Sequence, residues 1–374
     1  MNIFMSDFLE KYHDEIFIQY SDDTLLRDIE SYKNGKGNLY KVLGHFFKEE
    51  QFNCHGGRGQ MTPMEALEND GIMQQIIDFT KTKPKFYKKR EALNVQDFFR
   101  NAGRIASKVA NFPIKEATKV YETYSKVGDT IYDPSCGFGS RMCATILNGR
   151  KYIGTDPNQS LVVKLNECGK FLQEHCGAEE FEIKATGSEI FHEDLKDRID
   201  LSFTSPPYYD YEKYGKDKGQ SIIKYPTYQQ WLDGFSKQTL INCGHYAKVG
   251  GMIAINLKNM RNGTTWRQEY YALYDDWKHI LDNINGLAFK EEMDMKYAKF
   301  LKRDYKGKHY TGGEKHENSN FGQKEPIMVY VKEGIISEEP AVEKIECDVC
   351  HYSTEDKEEF KSHLTRRFHL EQVA

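Results

Sequence analysis

The sequence predicts an α/β protein: a doubly wound, mostly parallel sheet preceded by a helical region and followed by a small metal-binding module. Three observations carry this. Strand-like and helix-like runs alternate between residues 104 and 333, the pattern of helices packed on both faces of a sheet. The first strand-like run ends in a glycine-rich turn before a helical run. Four metal-ligating residues stand at finger spacing near the end of the chain.

In chain order, residues 1–103 read as mixed and mostly helical. DTLLRDIESY and TPMEALENDGIMQQIIDFT space apolar residues at three and four, and Thr62-Pro63 supplies an N-cap followed by a first-turn proline. Between them lies QFNCHGGRGQ (51–60), whose Gly-Gly-Arg-Gly with Arg58 is a weak phosphate-cradle candidate. DTIYDP (129–134), KYIGTDPN (151–158), FEIKATG (181–187) and IDLSFTSPP (199–207) read as four successive strands, with RMCATILNG as the helix after the first. YPTYQQWLDGFSKQTLINCGHYAKV (225–249) reads as one long amphipathic helix, and GGMIAINLKN (250–259) as a fifth strand after a Gly-Gly turn. A helix is expected around 269–283, then two antiparallel strands, GLAFKEEMDMKY (286–297) and EPIMVYVK (325–332), joined by a basic loop. The acidic, aperiodic stretch 334–346 reads as a linker to a module at 347–374.

The chain has 374 residues and a formal net charge of −5, which alone argues against a nucleic-acid partner. The distribution argues otherwise. Residues 81–104 carry eight Lys/Arg against two acids, and 296–315 carry seven against two, so +6 and +5 sit on two aromatic-containing stretches and −16 on the rest. No apolar run approaches the ~20 residues of a membrane span. The N-terminus lacks the basic flank and cleavage site of a signal peptide, and six of the eight cysteines are scattered as free thiols; a cytoplasmic location is expected. Neither a P-loop nor paired metal-binding carboxylates stand out, which disfavours ATPase and nuclease chemistry.

The strongest chemical signal is Ser205-Pro206-Pro207-Tyr208, where the fourth strand should end. Ligands of open α/β sheets sit outside the carboxyl ends of the strands. Two prolines stiffen the turn and leave only carbonyl acceptors; Ser205 adds another acceptor and Tyr208 a flat ring. Acceptors beside an aromatic platform suit an exocyclic amino group: bonds from both amino hydrogens favour a pyramidal, nucleophilic nitrogen and stabilise the positive charge that develops on attack. A rigid strand-ending turn without chemistry is the plain alternative. About 70 residues earlier stands Asp133-Pro134-Ser135-Cys136-Gly137-Phe138-Gly139, whose backbone can approach a cofactor closely. Asp156, 17 residues beyond Gly139, is placed to accept ribose hydroxyls. Met142 breaks G-x-G-x-x-G, which favours a cofactor without a pyrophosphate. Gly187-Ser188-Glu189 follow the third strand, where a polar side chain can meet an adenine ring.

Together these residues resemble the S-adenosylmethionine-dependent amino-methyltransferases of nucleic acids, over roughly 104–333. The resemblance implies a Rossmann-like class I methyltransferase fold. It assigns the methionine part of S-adenosylmethionine to Asp133, Gly137 and Gly139, with Pro134, Cys136 and Phe138 in the same turn. It assigns the ribose to Asp156 and the adenine to Ser188 or Glu189. Asn111-Phe112-Pro113 looks like the family's cofactor-flanking segment. The reading CGFG departs from a plain FxGxG, which leaves the individual backbone contacts open. TSPPYYD, YPTYQQW and EPIMVYVK also look like DNA methylases carried by bacteriophages and their hosts.

In this family Ser-Pro-Pro-Tyr goes more often with N4 of cytosine and Asp-Pro-Pro-Tyr with N6 of adenine, so Ser205 favours cytosine. The alternatives are an N6-adenine DNA methyltransferase, an RNA base methyltransferase and a catalytically idle nucleic-acid-binding protein. No cysteine stands in Pro-Cys context, so in-line transfer to a flipped-out base is expected. DNA is the expected partner, held by 81–104 and the 296–324 loop. Tyr209, Tyr211 and Tyr214 are candidates for a mobile lid, against ordinary packing. Cys347-x2-Cys350-x12-His363-x5-His369 has the spacing of a Cys2His2 finger, so structural zinc is expected, with Phe360 as the finger's core residue. That finger is open to nucleic-acid or protein contact.

Overall fold

The computed structural model describes residues 7–56, 61–81, 106, 109–215, 218–262, 269–295, 326–340, 345–346 and 353–354. Arg58, the basic stretch from 82 to 104, the 296–324 loop, Phe360 and the four expected zinc ligands lie outside these residues.

Among the described residues, five helices come first: α1 (Asp7–Ile16), α2 (Asp22–Lys33), α3 (Tyr40–Phe52), α4 (Pro63–Leu67) and α5 (Asp70–Lys81). The expected N-cap holds. Thr62 and Glu65 exchange bonds in a capping box, Glu65 N–H to Thr62 Oγ1 at 3.0 Å and Thr62 N–H to Glu65 Oε2 at 2.9 Å. The run behind it breaks into α4 and α5, because the Asn69 carboxamide accepts the Ile72 N–H and starts a new helix.

Helix α6 (Ile114–Tyr124) leads into the sheet: β1 (Thr130–Asp133), α7 (Ser140–Leu147), β2 (Lys151–Thr155), α8 (Gln159–Cys176), β3 (Phe181–Lys184) and β4 (Ile199–Thr204). After α9 (Ser221–Lys224), the run read as one helix is α10 (Tyr228–Trp231), a π-helical turn over Leu232–Ser236, and α11 (Lys237–Tyr246). It ends sooner than expected, because β5 (Ala247–Asn256) starts before the Gly-Gly pair. Gly250, at φ 83°, lies instead where the register against β4 shifts between Ile199 and Leu201. The helix expected from 269 starts later, as α12 (Leu273–Asp282). Its first residues belong to a small hairpin of β6 (Met260–Asn262) and β7 (Glu269–Tyr271). Then come β8 (Leu287–Asp294) and β9 (Pro326–Lys332). A short antiparallel pair, β10 (Ile345–Glu346) with β11 (Ser353–Thr354), brackets the Cys-x2-Cys segment.

The seven-stranded sheet runs β3-β2-β1-β4-β5-β9-β8. The first five strands are parallel, and β9, inserted between β5 and β8, is antiparallel to both. This is the doubly wound, Rossmann-like arrangement, with the order reversing between β1 and β4. Strand pleating divides the core. Ile131, Phe203, Ala254 and Val329 join one cluster, whereas Tyr132, Ile253, Ile255 and Tyr330 join the other.

The first cluster includes Leu25 and Ile29 of α2 and Val42 and Phe47 of α3. Each is worth roughly 1.5–3 kcal/mol when buried, so these helices are part of the same body as the sheet. The start of the expected linker also packs: Ile336 is buried in the second cluster, and His245 Nε2 lies 2.7 Å from the Glu338 carbonyl. No helix among the described residues is long and apolar enough to cross a membrane.

Candidate functional site

Strand β1 delivers Asp133 to the carboxyl edge of the sheet, and the chain turns sharply through Gly137 (φ 54°) and Gly139 (φ 71°) into α7. Both conformations favour glycine. Position 139 also lacks room, since a Cβ there would lie 2.5 Å from the Phe47 ring. The turn is latched to β2: the Cys136 N–H donates to the Thr155 carbonyl at 3.1 Å, and Thr155 Oγ1 donates to the Pro134 carbonyl at 3.0 Å. The Cys136 side chain packs against Gly154, where an added Cβ would sit 2.4 Å from the sulfur. Burial pushes its thiol pKa well above the usual value, and the Asp133 and Asp156 carboxylates push the same way.

Asp133 is fully buried and does not line the cavity described below. Its Oδ2 accepts Arg141 Nε (2.8 Å) and the Tyr152 hydroxyl (3.0 Å); its Oδ1 accepts Arg141 Nη2 and the Ser135 N–H, both at 3.2 Å. The expectation that Asp133 itself holds the methionine part is therefore revised. Its acceptor positions are filled from within, and it supports the turn from beneath. Burial works against the Arg141 charge, but the Asp133 carboxylate outweighs it and holds the guanidinium pKa above its ordinary value.

Asp156, just past β2, is 9% exposed and lines the cavity. Burial raises its pKa to about 7, even though the Asn158 and Gly137 backbone N–H groups donate to the carboxylate and oppose the rise. Beyond β3, the Ser188 hydroxyl is 2.8 Å from Thr239 Oγ1, and its carbonyl accepts Asn242 Nδ2 at 2.9 Å. Glu189 Oε1 accepts Lys224 Nζ of α9 at 2.9 Å. These two side chains thus tie the turn after β3 to the helices that follow β4.

Strand β4 ends at Thr204 and releases Ser205-Pro206-Pro207-Tyr208 at the same edge. The Ser205 hydroxyl is half-buried and has no hydrogen-bond partner among the described residues. Tyr209 then adopts φ 51°, a left-handed conformation costly for a tyrosine. Its ring is buried against Tyr228, Trp231 and Tyr271 with centroids 5.0–5.7 Å away, and its hydroxyl donates to the Pro226 carbonyl at 2.8 Å. Tyr209 is therefore a packed anchor, not part of a lid. Tyr214 packs near Phe138 at 6.4 Å and donates to the Glu212 carboxylate. Between these two tyrosines, Lys213 exchanges backbone bonds with His55 (2.7 and 3.0 Å), clasping the segment after the turn to the N-terminal region.

One cavity, with about 1240 Å³ of empty space partly open to solvent, joins these parts. Ser205, Pro207 and Tyr208 line it together with Pro134, Cys136, Gly137, Phe138, Asp156, Ser188, Glu189, Asn111 and Phe112. Pro206 is buried behind it, and Gly139 shapes the turn without lining the cavity. Asn111 is fixed by a bond from Gln51 Nε2, and the Phe112 ring meets Phe203 edge-on at 5.4 Å. Sequence reasoning passed over Arg141, Cys54, Glu212, Gln220, Phe235 and Asn256, which also line the cavity. Arg141 had a legible signal. A cation in a first helical turn opposes the helix dipole and calls for a specific acid nearby. Phe235 sits in the π-helical turn, which periodicity at 3.6 residues does not anticipate.

No protein-family model and no curated protein matches the chain. Among solved structures, it is similar to a geranyl diphosphate methyltransferase complexed with GPP and sinefungin (13% identity, TM-score 0.38, covering 59% of this chain and 78% of that one). A TehB-like SAM-dependent methyltransferase from Corynebacterium glutamicum gives 12%, 0.33, 58% and 86%. TrmN from Thermus thermophilus gives 11%, 0.37, 59% and 49%. The sheet itself, five parallel strands followed by a single reversed strand between β5 and β8, is a doubly wound, Rossmann-like arrangement.

Proposed function

We propose that this chain is an S-adenosylmethionine-dependent methyltransferase acting on the exocyclic amino group of a base in DNA, with N4 of cytosine favoured over N6 of adenine. The carrying observation is that the Ser205-Pro206-Pro207-Tyr208 turn and the Gly137 turn with Asp156 open onto one cavity. A cofactor of this kind fits the residues present. Gly137, at φ 54°, and the buried carboxylate of Asp156 both line the cavity, so backbone and an acceptor for hydroxyl donors meet there. Gly137, Asp156 and the Ser188-Glu189 turn would hold it.

When bound, S-adenosylmethionine supplies an electrophilic methyl group on sulfonium sulfur. The chain's own residues prepare the acceptor. Ser205 Oγ accepts one amino hydrogen and a backbone carbonyl of the turn accepts the other, so the nitrogen lone pair leaves the ring's conjugation and points along the line of transfer. Tyr208 supplies the face on which the base lies. As the nitrogen–carbon bond forms, the carbon–sulfur electron pair stays with sulfur, and the amino proton departs to solvent.

A covalent cysteine route has no support among the described residues. Burial pushes Cys54, which lines the cavity, up to about 12, and it pushes Cys136 well above the usual thiol value.

The charge distribution supports DNA as partner, because the +6 and +5 stretches supply the Lys/Arg that phosphates require. Structural zinc at Cys347, Cys350, His363 and His369 is supported by ligand spacing and by the β10–β11 pair bracketing the cysteines. Metal analysis of the purified protein tests it; one zinc per chain is expected, and its absence removes the finger. Incubation with labelled S-adenosylmethionine and equal amounts of DNA or RNA tests the substrate. Label in DNA is expected, label confined to RNA moves the substrate class, and label in neither overturns the proposal.

A further inference from the structure

The cavity lining contains three carboxylates, Asp156, Glu189 and Glu212, and among the described residues a single cationic side chain, Arg141. Arg141 is 4% exposed. Its five N–H groups can be followed one by one. Nε donates to Asp133 Oδ2, and Nη2 donates to Asp133 Oδ1 and to the Ser135 carbonyl. The two N–H groups of Nη1 have no partner among the described residues. The guanidinium carbon lies 5.6 Å from the Phe112 ring centroid, beside the glycine turn.

Nη1 is not among the unpaired polar atoms sealed from solvent, so its donors reach the space of the cavity that Arg141 lines. Asp133 already neutralises most of the charge and fixes the fork in place, so Nη1 is a pre-aimed pair of donors at the wall of the cavity. We infer that Arg141 Nη1 is the recognition group for the carboxylate at the amino-acid end of S-adenosylmethionine. This deepens the function proposed above and rests on it. The chemistry matches group for group: the ligand's one anion meets the one cation, while its sulfonium and ammonium find a lining otherwise rich in carboxylates. It also replaces the role expected of Asp133, whose lone pairs are all engaged, with a role for the arginine that Asp133 holds. A substrate phosphate is the other anion a guanidinium fork accepts, and the experiment separates the two.

Calorimetry would compare S-adenosylhomocysteine with its decarboxylated analogue on wild type and on Arg141→Lys, which keeps a cation against Asp133. Wild type should bind the decarboxylated analogue roughly 10- to 100-fold more weakly. Arg141→Lys should lose a similar factor on S-adenosylhomocysteine yet bind the decarboxylated analogue as wild type does, with DNA affinity unchanged. Several results would overturn the inference: equal affinity of wild type for the two ligands (a reading that needs no folded variant), equal weakening of both ligands by Arg141→Lys, or a loss confined to DNA. Failure of wild type to bind S-adenosylhomocysteine at all would instead overturn the cofactor reading, and this inference with it.

Discussion

The two halves of the cavity are built by opposite means. On the glycine-turn side most polar groups are committed, Arg141 Nη1 excepted: Asp133 is saturated, Thr155 latches the turn at two points, and Ser188 and Glu189 are bonded to later helices. On the Ser205 side the Ser205 hydroxyl has no hydrogen-bond partner among the described residues, and rigidity comes from two prolines and a cluster of aromatic rings around Tyr209. The difference suits a division of labour. A side that binds the same ligand in every turnover gains from fixed dipoles, whereas a side that meets a reacting amino group needs free acceptors held still.

Substitutions test that division directly. Ser205→Ala removes an acceptor from the reacting nitrogen, so methyl transfer should slow by about 100- to 1000-fold while S-adenosylhomocysteine affinity stays as in wild type. Single-turnover kinetics beside calorimetry reads both, and a matching loss of affinity would erase the contrast between the halves. Gly139→Ala strikes the other half. It places a Cβ 2.5 Å from the Phe47 ring at a φ of 71°, so urea denaturation should show a loss of about 1–3 kcal/mol, with weaker cofactor binding.

The pH dependence separates the halves more gently. Asp156 has a pKa near 7, above the 3.8 of an ordinary aspartate, and ribose hydroxyls donate to its ionised form. Cofactor affinity should therefore fall as pH drops below 7, approaching about tenfold per unit, and Asp156→Asn should flatten that profile. The sign for the ligand-free protein is opposite. Between pH 4 and 7 the folded state holds a proton the unfolded state has lost, so this group stabilises the fold as pH falls. The smallest effect belongs to Tyr209→Phe, which loses the bond to the Pro226 carbonyl and should cost about 0.5–1.5 kcal/mol in thermal unfolding.

Much of this was legible in the residues. Period-two apolar runs located β1 to β5, β8 and β9, and turn chemistry placed Asp133 to Gly139, Asp156 and Ser205 to Tyr208 at one edge. What stayed hidden depends on packing between distant segments. The hairpin β6–β7 is short and interrupts what reads as a helix. The burial of α2 and α3 against the sheet follows from Phe47 meeting Gly139, a contact of 92 residues' separation that no local pattern encodes. Arg141 was overlooked because it opens an apolar helical run, and only the position of Asp133 beneath it shows which way its free donors are turned.

The most direct measurement is mass analysis of nucleosides from DNA treated with S-adenosylmethionine carrying a deuterated methyl group, using wild type and Ser205→Ala side by side. Labelled N4-methylcytosine from wild type and a large loss of it from the variant is the predicted result; labelled N6-methyladenine would keep the amino-group chemistry and change the base. Label on carbon 5 of cytosine, or equal label from both proteins, would contradict the account.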